Sequence, residues 1–198
     1  MRQDVSNYLI HFVSDKSFDL AYLRLRKIIK ERCLLGNNKF IKGGHTCICF
    51  SEAPLNCLPG GLVNPDYYSR YSSFGIMVTK KWLFNLGGRP VIYQSEAEYY
   101  LLPDQIQWRH VLHDPLKDPP IDFTWEREWR INCAHLDFNP SNARIIVLDN
   151  SWADRLKKDH EREEDYNVRA YSMIFDEDDE ELAEQLRNKF DWTIVTLN

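Results

Sequence analysis

The chain has 198 residues, 43% of them hydrophobic and 13% aromatic, with a formal net charge of −5. That length suffices for one globular domain with its own core, here taken as residues 1–198, and that apolar content excludes disorder over most of the chain. No apolar run approaches the ~20 residues of a membrane span, and the opening MRQDVSNYLIHF lacks the basic, apolar and small-residue succession of a signal peptide.

YLIHFVS (Tyr8–Ser14) is rich in β-branched and aromatic residues and predicts a first strand with His11 at its centre. Ser17 is placed to cap a helix running to about Leu35, with Phe18, Tyr22, Leu25 and Ile29 on one face and Gly36 as its stop. The basic residues Arg24, Arg26, Lys27 and Lys30 lie mostly off that face. Residues 1–50 hold nine Lys/Arg against four Asp/Glu, whereas residues 151–190 hold seven against thirteen. Such asymmetry suits a phosphate-bearing ligand or nucleic acid at one end, and a solvated helix face equally well.

A glycine turn leads to a second strand near Thr46–Ser51, where Cys47 and Cys49 alternate as small apolar residues. Five cysteines without a CxxC pair fit a reduced, cytoplasmic protein. Leu55–Ser73, with Pro59, Gly60, Gly61 and Pro65, reads as a long irregular loop, and long loops are commonly functional. FGIMVTK predicts a third strand, KKWLFNLGG a short helix, and RPVIYQSE a fourth strand entered through proline. A helix from Glu96 to about His110 and the proline-rich HDPLKDPPID follow. WEREWRINC and ARIIVLD are the next strands, then helices around Ser151–Asp165 and Asp178–Phe190, and a last strand in DWTIVTLN. Helices do not alternate regularly with strands and no GxGxxG follows a strand, so the fold class is α+β rather than doubly wound.

Read with a period of two, WEREWRINC puts Glu126, Glu128, Arg130 and Asn132 on one side of a strand and Trp125, Arg127, Trp129, Ile131 and Cys133 on the other. Two carboxylates beside an arginine are equipped to stabilise a sugar cation, the chemistry of glycosyl transfer; an ion-paired surface strand has the same pattern. His110 and His113 with Asp114 have a spacing that suits a metal but no further ligand pair, and no P-loop, HExxH or GxSxG occurs.

The succession YLIHFVS, RKIIKERCLLG, CICFSEAPL and YSSFGIMVTKKWLFNLGGRPVIY resembles the AbiGi-type abortive-infection proteins of bacteria over roughly residues 8–133. With EREWRI behind it, the layout is similar, more distantly, to DarT-like ADP-ribosyltransferases. That resemblance implies a mixed sheet core with flanking helices, NAD as substrate, no metal, and a nucleic-acid or protein acceptor. It implies that His11, with Phe12, holds the adenosine-side ribose and that Ser51, with Phe50, supports the nicotinamide pocket. Glu128 would stabilise the oxocarbenium-like transition state, and Glu126 would orient or deprotonate the acceptor. Tyr71, Tyr93 or Tyr67 would stack on nicotinamide, Arg70 or Arg89 would hold the pyrophosphate, and the loop from Leu101 to Thr124 would meet the acceptor. The same resemblance allows a non-catalytic, antitoxin-like binding protein with a cognate toxin partner. A third reading is an RNA-cleaving toxin using His11 or His45.

Overall fold

The structure, a computed structural model, describes residues 5–13, 15, 17–53, 72–175, 185 and 187–197. Tyr67, Arg70, Tyr71 and the acidic run Asp176–Glu181 lie outside the described residues, as does most of the expected loop Leu55–Ser73.

Strand β1 (Tyr8–Phe12) leads into helix α1 (Phe18–Glu31), whose first turn is capped by Ser17 Oγ accepting the Leu20 N–H at 3.2 Å. The helix ends earlier than the sequence suggests. Arg32 takes the left-handed conformation (φ 52°), and Cys33–Leu35 become strand β2. The reason is tertiary: β2 pairs antiparallel with β9 (His135–Asp137), a strand that carries no sequence signal of its own. The remaining elements are β3 (Cys47–Ser51), β4 (Gly75–Thr79), α2 (Lys80–Asn85), β5 (Arg89–Pro90), β6 (Ile92–Gln94) and α3 (Glu96–Tyr99). They are followed by β7 (His110–Leu112), β8 (Glu128–Asn132), β9, β10 (Ala143–Val147), α4 (Asn150–Phe175) and β11 (Ile194–Thr196).

Among the described residues the main sheet has seven strands in the order β11-β10-β4-β1-β3-β8-β5. Its neighbours are antiparallel except β10 and β11, so the sheet is mixed and the fold is α+β. Alternation sorts its residues cleanly. Leu9, Val13, Ile48, Phe50, Ile76, Val78, Ile131 and Ile145 join Ala21, Tyr22 and Leu25 of α1 and Leu156 of α4 in the main core. Ile10, Met77 and Ile146 form a smaller cluster on the opposite side, with Tyr8, Phe12 and Val195 against it.

Three further expectations give way. The helix expected over Glu96–His110 is instead the single turn α3, a 3-10 turn Asp104–Arg109, and β7. Pro103 breaks it, because it has no N–H to donate and disfavours helical backbone at the residue before it. RPVIYQSE is not one strand: β5 closes the main sheet against β8, whereas β6 leaves it to pair in parallel with β7. WEREWRINC is a strand only from Glu128. Thr124–Glu126 form a 3-10 turn, and Arg127, at φ 45°, redirects the chain into β8. Toward the C-terminus, residues 187–190 carry no helix.

Part of the uneven charge is met inside the molecule. On the helix side of the sheet, Arg26 pairs with Glu163 at 3.0 Å, Lys30 reaches the same carboxylate, and Arg155 meets Asp19 at 2.9 Å. The buried Tyr22 donates its hydroxyl to Asp159 at 2.7 Å. Arg26 and Lys30 of α1 are thus matched to Glu163 of α4, while Arg24 pairs with Asp15 and Lys27 with Glu31.

Candidate active site

The site is built where β8 starts. The Ser51 hydroxyl donates to the Glu126 carbonyl at 2.7 Å and accepts the Ala53 N–H at 3.1 Å. The Glu52 N–H donates to the Arg127 carbonyl at 3.2 Å, so the end of β3 pins the turn before β8. Glu128 enters the ladder directly opposite Ser51, and Ser51 is itself bridged to Ile10 of β1. The Glu128 N–H donates to the Tyr93 hydroxyl at 3.0 Å, while its carbonyl accepts the Val91 N–H at the same distance.

The Glu128 carboxylate is held on both oxygens by Arg130: Nε donates to Oε1 at 2.8 Å and Nη2 to Oε2 at 3.1 Å. Arg130 Nη1 donates to the carbonyls of Trp108 (2.8 Å) and His110 (3.1 Å). The side chains of Arg130 and Glu128 are 6% and 11% exposed. Burial alone would lower the Arg130 pKa, and the charge of Glu128 outweighs it, so the guanidinium is held above its ordinary value. Burial, then the charges of Glu128 and Glu126, push Tyr93 up to about 12. Cys49, opposite Arg130, is pushed up by burial and by Glu128, and burial takes Cys47 up to about 11. Burial of this kind disfavours the thiolate, the form of a cysteine that acts as a nucleophile.

The structure brings together Ser51, Glu128, Tyr93 and the Glu126 backbone. It does not put Glu126 on the strand face beside Glu128: Glu126 is buried in the 3-10 turn, so the two carboxylates are not neighbours on one strand. His11 lies at the seam between β1 and β3, where Ile10–Ser51 is the one bridged pair among the described residues. Register places His11 opposite Ile76, on the main-core side, whereas Ser51 and Glu128 share the side of Ile10. His11 Nδ1 donates to the Cys49 carbonyl at 2.8 Å and its ring meets Phe50 edge-on at 5.8 Å between centroids; burial lowers its pKa. Phe50 is core, and Phe12 faces the other side, against the smaller cluster.

Arg89 stands opposite Arg130 on β5, with Nη1 donating to the carbonyls of Phe84 (2.9 Å) and Gly88 (2.7 Å). His45 is fixed on both nitrogens, between Asn132 Nδ2 (3.1 Å) and the Asp104 carbonyl (3.0 Å). His110 is buried and donates Nε2–H to the Ser95 carbonyl at 3.1 Å, while His113 faces Asp122 at 3.7 Å. Trp129 points to the helix side and donates Nε1–H to Glu52 at 2.8 Å, with Lys80 on the same carboxylate.

Sequence reasoning missed that Arg130 ties β8 to the segment around Trp108 and His110. No periodicity reports a contact between residues 20 apart across two sheets. A cleft of about 490 Å³ between α1, α4 and residues 188–192 shares no lining residue with this site. Along it His160 donates to the Asn188 carbonyl, Asn188 donates to Glu164, and Arg26 and Lys30 pair with Glu163. Among the described residues no helix is long and apolar enough to cross a membrane. No protein-family model matches the chain, and neither a curated protein nor a solved structure matches it.

Proposed function

We propose that the chain is an ADP-ribosyltransferase-like protein of bacterial phage defence or toxin action, cleaving NAD and passing ADP-ribose to a nucleic-acid or protein acceptor. The observation that carries this reading is the cross-strand row Ile10–Ser51–Glu128, in which the serine and glutamate singled out by the sequence face each other on neighbouring strands. As nicotinamide leaves, positive charge builds on the ribose, and a fixed carboxylate stabilises it without reorganising. Glu128 has that fixity: both its oxygens and its backbone N–H are held. Tyr93, bonded to the same residue, is the tyrosine best placed among the described residues to border the nicotinamide. The reading rests on Ser51 and Glu128 and gives His11 no contact with NAD.

The test is nicotinamide release from NAD in the presence of cell lysate as acceptor source. The wild type should release it, and Glu128→Gln should lower the rate by about 100-fold or more, the scale of losing one preorganised charge. No release by the wild type sinks the proposal. A second reading, a non-catalytic antitoxin-like binding protein, is favoured by the bidentate Arg130, which already neutralises Glu128. It predicts no release and a toxin partner whose binding survives Glu128→Gln.

A further inference from the structure

The outer edge of β5 carries an electrostatic imbalance. Arg89 and Arg130 face each other directly across β5 and β8, and like charges so placed destabilise a sheet unless compensated. Arg130 has Glu128. Arg89 has only carbonyls, those of Phe84 and Gly88. A third arginine, Arg109, reaches the same edge: its Nε donates to the carbonyl of Pro90, the residue after Arg89, at 3.0 Å. Among the described residues neither Arg89 nor Arg109 has a carboxylate partner.

We propose that Arg89 and Arg109 form an anion site at the β5 edge that takes the phosphate groups of a nucleotide or of a nucleic-acid backbone. Each guanidinium carries five N–H donors. Arg89 spends Nη1 and keeps Nε and Nη2; Arg109 spends Nε and keeps both terminal nitrogens. The free edges are the paired donors that match phosphate oxygens. Arg89 is held flat by stacking over the half-exposed Phe84 ring, 3.8 Å from its centroid, so its plane is set before a ligand arrives. Both arginines are half-buried, and burial together with the Arg89 charge lowers the pKa of Arg109. An anion between them relieves that stress. Bonds to the carbonyls of Phe84, in α2, and of Gly88 account for Arg89 Nη1, but not for a second arginine without a carboxylate drawn to the same strand. Arg89 is also an arginine that the resemblance sets on the NAD pyrophosphate, so the nucleotide arm deepens that reading; the site is read by binding alone and can stand where nicotinamide release fails.

The full chain is titrated with inorganic pyrophosphate by calorimetry at low salt, and with a short labelled single-stranded RNA by fluorescence anisotropy. Pyrophosphate should bind, and Arg109→Gln should weaken it about tenfold or more, the worth of one lost charge-assisted contact. Arg89→Gln should do the same. Because Arg89 also braces α2, Arg109→Gln with unchanged thermal stability is the deciding variant. RNA binding that falls in the same variants, with steep salt dependence, assigns the site to a nucleic-acid backbone. Pyrophosphate binding without RNA binding assigns it to a nucleotide. Failure of the wild type to bind either probe, or an affinity unchanged in Arg109→Gln, overturns the proposal.

Discussion

Replacing Arg130 with methionine keeps most of the side-chain volume and removes the charge and four hydrogen bonds. Left behind are a carboxylate 11% exposed and two carbonyls, those of Trp108 and His110, without their donor. Removing one partner of a buried ion pair costs about 3–5 kcal/mol, chiefly because the other charge stays buried. The residual exposure of Glu128 lets water recover part of this, so about 3 kcal/mol is expected for Arg130→Met. Against a typical stability of roughly 5–15 kcal/mol that is a large fraction. The double variant Glu128→Gln/Arg130→Met removes both charges and should cost less than Arg130→Met alone. Urea unfolding followed by tryptophan fluorescence reads both, since the Trp108 carbonyl accepts from Arg130 and Trp129 stands between the two residues in β8. An Arg130→Met protein within about 1 kcal/mol of wild type, or a double variant at the sum of the singles, refutes the reasoning.

Burial holds the folded-state pKa of His11 below its ordinary value, so the unfolded chain protonates first as pH falls. Its contribution is intact above about pH 6.5 and is lost as pH drops from there toward the folded value; a pH–stability slope unchanged in His11→Gln would contradict this. Glu163→Gln loses Arg26 and Lys30 from a carboxylate 32% exposed and should cost about 0.5 kcal/mol, a difference that shrinks in high salt when urea midpoints are compared. Gly36→Ala would place a Cβ 2.3 Å from the Cys133 carbonyl and 2.9 Å from Thr46 Cγ2. About 2 kcal/mol of destabilisation is expected, and a wild-type melting temperature would show that the backbone there yields.

Local pattern alone determined the strands at Tyr8–Phe12, Cys47–Ser51, Gly75–Thr79 and Ala143–Val147, because alternating apolar residues bury one side of a pleat wherever the strand is placed. The start of α1 was equally legible, since Ser17 caps it through a bond three residues long. Tertiary structure decided the rest. Cys33–Leu35 left the helix because β9 offers it a ladder, and Glu126 left the strand because Ser51 and Glu52 hold the preceding turn. Of the basic residues of α1, Arg26 and Lys30 meet Glu163 of α4, a pairing that no local pattern shows. Glu128 was visible as a residue, but its environment was not: Arg130, Tyr93 and the carbonyls around Trp108 converge on it from segments that no local period relates. Pattern reports which side of an element is apolar. Only the packed chain decides which polar groups are left to meet one another on the other side.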